Sequence, residues 1–124
     1  MDEILAFSTV TELRNLIVSK KLSPVELTEG YLRRIDGLDP LMNSYLTVMY
    51  DYAMGQAKQA EQTVMDKDSV LGPLHGIPIS VKDLDAVRGI RTTFGSLVFQ
   101  DYISKQDSIT VSYTHLTLPT IYSV

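Results

Sequence analysis

The chain has 124 residues, a length that admits one domain with a modest core. Hydrophobic residues make up 44% and charged residues 21%, a globular composition. No run approaches the roughly 18 apolar residues of a membrane helix, so no membrane partner is expected. The start, MDEILAFS, is acidic where a signal peptide is basic, which makes the cytoplasm the expected location. With no cysteine, disulfides, zinc–thiolate sites and a thiol nucleophile are excluded together. Two histidines are too few for a metal cluster, and neither metal nor cofactor is expected. The net charge of −4, with scattered basic residues, argues against direct nucleic-acid binding.

In chain order, Thr9 and Glu12 have the spacing of a capping box, and Val10, Leu13, Leu16 and Ile17 follow at helical intervals. A first helix is predicted from about Val10 to Lys20. A stronger start comes at Ser23-Pro24-Val25-Glu26, with Ser23 as N-cap, Pro24 at the first helical position and Glu26 closing the box. Leu27, Tyr31, Ile35 and Leu38 then form one apolar stripe. That second helix is predicted to stop near Asp36 or Gly37, before Asp39-Pro40.

Tyr45 to Met49 reads as a short strand or extended segment. From about Asp51 to Met65, Ala53, Ala57, Ala60 and Val64 mark a third helix with a narrow face of small residues, suited to close packing. Asp66 to Ser69 is a polar loop. Gly72, Pro73, Gly76 and Pro78 then punctuate a rigid loop that leads into the β-type run Ile79-Ser80-Val81-Lys82-Asp83. Beyond Gly89 and Gly95, Leu97 to Phe99 suits either helix or extended chain. Ile79 and Val81 suggest a buried strand, and alternation along it puts Lys82 and Asp83 on opposite faces. Asp83 is therefore not the expected counter-ion of Lys82, whereas Ser80 shares the lysine's face.

The segment GPLHGIPISVKDLDAVRGIRTTFGS resembles the opening of the amidase-signature region, whose members hydrolyse or transfer amides. The resemblance rests on Gly72, Pro73, Leu74, His75, Gly76, Ile77, Pro78, Lys82, Asp83, Gly89, Thr92, Thr93, Gly95 and Ser96. Upstream, LSPVELTEGYLRRIDGLDPLMNSYL is similar to the family's second helix and following strand. The departures are small: Asp85-Ala86 replaces an apolar residue and Asp, and Asn43-Ser44-Tyr45 replaces Asn-Ala-Phe.

The resemblance implies an α/β fold, with N-terminal helices and the first strands of a mixed sheet covered by helices. It implies a serine nucleophile, a cis-linked serine and a lysine, and Lys82 is the position that matches the lysine. An unperturbed lysine has a pKa of about 10.4, so a neutral amine at pH 7 requires an environment favouring it by about 4 kcal/mol, which burial can supply. The family's Gly/Ser-rich serine segment has no counterpart in this chain, so the 124 residues by themselves are expected to be inactive. Gly76, Thr92, Thr93 and Ser96 are candidates for the substrate pocket or its supporting loop, with turn hydrogen bonds as the plainer role. His75 has the chemistry of a general base, but a structural loop role is expected of it.

Implied partners are a small amide substrate and, in the full-length protein, further copies of the chain or amidotransferase subunits. Three readings stay open: the front of a stand-alone amidase, the front of the glutamine-hydrolysing subunit of a tRNA-dependent amidotransferase, and a non-catalytic fragment. The amidase is preferred. The family region is expected over residues 1–111. Residues 112–124, SYTHLTLPTIYSV, lack the expected helical stripe and resemble translated sequencing adapter.

Overall fold

A computed structural model describes residues 3–112 and 121–123 of the chain. The elements run α1 (Glu3–Ala6), α2 (Val10–Val18), α3 (Pro24–Met42), α4 (Tyr50–Met65), β1 (Pro78–Ser80), a 3-10 helix (Leu97–Phe99) and β2 (Ile121–Ser123). This is the α/β arrangement expected, with a parallel pair of three-residue strands as the sheet among the described residues. Its register sets Pro78 beside Ile121 and Ser80 beside Ser123. Residues 113–120 and 124, most of the segment set apart at the C-terminus by sequence, lie outside the described residues.

Both capping boxes form. The Thr9 amide donates to Glu12 Oε2 at 2.7 Å, and the Glu12 amide donates back to Thr9 Oγ1 at 3.3 Å. Ser23 Oγ accepts from the amides of Val25 and Glu26 while its own amide donates to Glu26 Oε2. The Ser23 hydroxyl also donates to Glu61, which fastens the start of α3 to α4. Helix α2 ends in a Schellman turn: Lys20 adopts φ 59°, and the Lys21 amide reaches the Leu16 carbonyl at 2.9 Å.

Leu13, Ile17, Leu22, Leu27, Val64 and Ile77 form the main core, and Leu32, Ala53 and Ala57 a second one between α3 and α4. A fully buried Leu or Ile is worth about 1.5–3 kcal/mol. The small-residue face of α4 is used as expected, since Ala53 and Ala57 are completely buried. The α3 stripe fades along its length: Leu27 is buried, Tyr31 and Ile35 are half-buried and Leu38 is exposed.

Two expectations are corrected. Helix α3 passes through Asp39-Pro40 and ends at Met42 rather than near Asp36 or Gly37. Proline sacrifices one helical hydrogen bond, and the end of the helix is held by other means. Asn43 closes it in the left-handed region, its amide donating to the Asp39 carbonyl at 2.7 Å. The Asp39 carboxylate then accepts from the amides of Ser44 and Tyr45. The second correction concerns residues 45–49, which form no strand. Their polar groups turn to side chains instead, such as Asp39 and Arg91.

Candidate active site

The loop before β1 is fixed from two sides. Gly76 has φ +76°, and a Cβ there would lie 2.8 Å from Pro24 Cγ, so the backbone lies directly against the first turn of α3. His75 is buried, with Nε2 2.9 Å from the Ala60 carbonyl on α4. Its imidazole thus ties loop to helix and is turned away from solvent. Gly76 serves the same anchoring from the α3 side.

Strand β1 ends at Ser80, short of the β-type run to Asp83 suggested by sequence. Val81 and Lys82 lie beyond the ladder, and the Lys82 carbonyl accepts the Asp85 amide at 2.8 Å in a turn. Ile79 and Val81 are half-buried against Val87 and Val111. Lys82 and Ser80 are both exposed. Both border an open cleft of about 470 Å³ whose other wall includes Ser44, Tyr45 and Leu46. The hydroxyls of Tyr45 and Ser80 lie 2.9 Å apart at the cleft.

Asp83 makes no ion pair with Lys82; among the described residues the one salt bridge joins Arg33 to Glu29. Its carboxylate instead accepts the Thr93 amide at 2.8 Å, the Gly95 amide at 3.1 Å and the Thr93 hydroxyl. Burial pushes this carboxyl up, but the Thr93 and Gly95 hydrogen bonds and the nearby Arg91 charge reverse the effect. The net result holds it below the ordinary aspartate value.

Thr92 and Thr93 are both buried. Thr92 Oγ1 donates to the Ile90 carbonyl at 3.4 Å, while the Thr93 hydroxyl is committed to Asp83. Ser96 caps the 3-10 helix, accepting from the Val98 amide at 3.3 Å. The segment carrying Lys82 is therefore joined to the Thr93–Gly95 loop through Asp83, whereas Gly76 sits against α3.

Arg91 adds a brace that sequence patterns do not single out. Its Nη1 donates to the Leu46 carbonyl at 3.1 Å and to Thr47 Oγ1 at 3.3 Å, holding the far wall of the cleft. Nothing local in the sequence marks this residue, because its partners lie far along the chain. Tyr45 is equally unmarked, although its hydroxyl meets Ser80 across the cleft. Among the described residues no group of three or more His, Cys, Asp or Glu side chains could hold a metal ion. No described helix is long and apolar enough to cross a membrane.

A family model described as Amidase matches residues 26–116. The chain is 40% identical over 100 residues to a glutamyl-tRNA(Gln) amidotransferase subunit of Methylobacillus flagellatus, covering 81% of this chain and 20% of the relative. It superposes on the native peptide amidase of Stenotrophomonas maltophilia with a TM-score of 0.84 at 28% identity, covering 95% of this chain and 24% of that one. A bacterial aryl acylamidase of the amidase-signature family aligns with a TM-score of 0.83 at 25% identity, covering 94% and 24%. The chain spans about a fifth of the length of the curated relatives it matches.

Proposed function

The chain belongs to the amidase family, and on that premise we propose that it forms the front of an amide-hydrolysing enzyme whose catalytic lysine is Lys82. The observation that carries this reading is the position of Lys82, beyond the β1 ladder and standing on an open cleft with the Tyr45 and Ser80 hydroxyls. A serine nucleophile and a cis-linked serine come, in this reading, from chain outside these 124 residues. Neutral Lys82 takes a proton through the cis-serine, the nucleophile attacks the amide carbonyl, and an acyl-enzyme forms. The proton then returns to the leaving amine.

Lys82 can act this way only as the free amine, and arginine cannot replace it because it stays protonated. Since Lys82 is exposed in this chain, the cover that favours its neutral form belongs to the rest of the enzyme. Thr92, Thr93 and Ser96 shape the supporting loop, and Gly76 sets the backbone path toward the lysine. The substrate is a small amide and the location cytoplasmic. The family region is proposed to cover residues 1–111, while the family match runs on to residue 116 and β2 within 112–124 pairs with β1; sequencing the gene beyond codon 111 tests that boundary.

A second reading, a glutamine-hydrolysing amidotransferase subunit with partner subunits, is favoured by the 40% identity to the Methylobacillus flagellatus protein. The deciding assay uses the complete protein against simple carboxamides and glutamine, with and without candidate partner subunits. Turnover of carboxamides by the protein alone supports the first reading; glutamine hydrolysis that requires partners selects the second. In either, Lys82→Ala lowers acylation by about 10²–10⁴-fold, the usual worth of a general base, and Lys82→Arg rescues little. Near-normal turnover by either variant sinks both.

A further inference from the structure

Lys82 lies two residues beyond the last paired residue of β1, so no ladder among the described residues holds its backbone. Its segment is held instead by a turn closed by the Asp85 amide and, one residue on, by a carboxylate that accepts three hydrogen bonds. All three donors come from Thr93 and Gly95, which flank a residue in a costly conformation. Phe94 has φ 51°, a region bulky side chains rarely adopt, and Gly95 is next at φ 68°. The Phe94 ring is held in turn by Phe99 at 5.6 Å and Tyr102 at 6.0 Å. The loop is thus gripped by an aromatic trio on one side and by a single carboxylate on the other.

From this geometry we infer that Asp83 is the positioning residue for Lys82: it fastens the lysine's segment to the Thr93–Gly95 loop and so fixes where the amine stands over the cleft. The inference rests on the reading of Lys82 as the catalytic lysine. The chemistry suits the task. A carboxylate carries two oxygens with several acceptor directions, enough for two amides and one hydroxyl at once. Charge-assisted hydrogen bonds of this kind are roughly twice as strong as neutral ones. An asparagine keeps one acceptor oxygen but turns a donor toward the loop, so it cannot reproduce the arrangement. Because the carboxylate is consumed by the loop, it is also kept from pairing with Lys82, which would hold the amine charged.

The test uses the complete enzyme. Wild type, Asp83→Asn, Thr93→Val and Thr93→Ser are compared in kcat, KM and thermal midpoint. Asp83→Asn and Thr93→Val are expected to lower kcat at least about tenfold, with KM changed less than about threefold, because a misplaced amine hurts the chemical step more than binding. Thr93→Ser keeps the donor to Asp83 and recovers most of the Thr93→Val loss. A purely structural role would lower the thermal midpoint while leaving kcat of the folded fraction intact, and that result overturns the proposal. Should Asp83→Asn fail to fold, the Thr93 pair decides: equal kcat for Val and Ser overturns it. Lys82→Ala separates the two layers. If it is inactive while Asp83→Asn runs at the wild-type rate, only the positioning role falls; if Lys82→Ala itself turns over normally, the amidase reading falls and takes the positioning role with it.

Discussion

The imidazole of His75 sits with Nε2 2.9 Å from the carbonyl oxygen of Ala60, and both residues are buried. A carbonyl only accepts, so Nε2 carries the hydrogen and donates it. This bond ties the loop before β1 to the small-residue face of α4, fifteen positions earlier in sequence. Replacing His75 with Ala removes the bond and leaves a void at the loop. The expected cost is about 1–3 kcal/mol, read as a fall in the urea midpoint of the complete protein. An unchanged midpoint would remove the structural role and return His75 to the chemical candidates.

Gly76→Ala is expected to be equally harmful for a different reason. The residue has φ +76°, and its new Cβ would meet Pro24 Cγ at 2.8 Å in the first turn of α3. Strained backbone and overpacking together cost about 1–3 kcal/mol. Gly37→Ala is the control, because nothing lies within 4 Å of a Cβ at that position and alanine favours a helix interior. Gly37→Ala should hold or raise the thermal midpoint while Gly76→Ala lowers it; equal midpoints would contradict the close approach.

The Asp83 grip on Thr93 and Gly95 should fail only in acid. Its carboxyl is held below the ordinary aspartate value of 3.8 in the folded chain. A lowered folded pKa means the stabilisation is fully present above the unfolded value and is lost as pH falls through the folded one. The Thr93 and Gly95 amide proton shifts, monitored by NMR, should therefore stay constant from pH 7 to about pH 4 and move below it. A transition above the unperturbed aspartate value would contradict the hydrogen-bond geometry.

Residues 1–124 alone should unfold over a broad range of temperature. Val70, Leu97 and Val98 are each at least 85% exposed, and the strands of the described sheet have three residues each. Large apolar surface left in water contributes nothing to stability and binds hydrophobic dyes. Circular dichroism with a sharp cooperative transition would show that the chain is an independent domain.

Local signals are the ones legible in the sequence. Ser23-Pro24-Val25-Glu26 identifies the start of α3 because a capping box is made within four residues. The Ala53, Ala57 and Ala60 spacing identifies the buried face of α4 because helical periodicity is set by the backbone. The end of α3 is not legible in this way. Pro40 is a local stop signal, while the groups that carry the helix past it, the Asn43 cap and the Asp39 carboxylate, act together only once folded. Tyr45 to Met49 misleads for the same reason: β-forming composition does not supply a neighbouring strand to pair with.

Lys82 and its motif can be read from the order of residues alone, since the Gly-Pro loop, the short apolar run and Lys-Asp are a linear pattern. Strand alternation, expected to set Lys82 and Asp83 on opposite faces, does not operate there, because the ladder stops at Ser80 and both residues border the cleft. Where the Asp83 carboxylate goes is decided only by the tertiary structure, which brings Thr93 and Gly95 to it across ten and twelve residues. The exposure of Lys82 is decided there too, because burial depends on which chain lies over a residue and not on its neighbours in sequence. Helix caps and side-chain periodicity are short-range consequences of backbone geometry. The grip on the lysine segment, the Arg91 brace and the cleft between them exist only when distant residues meet.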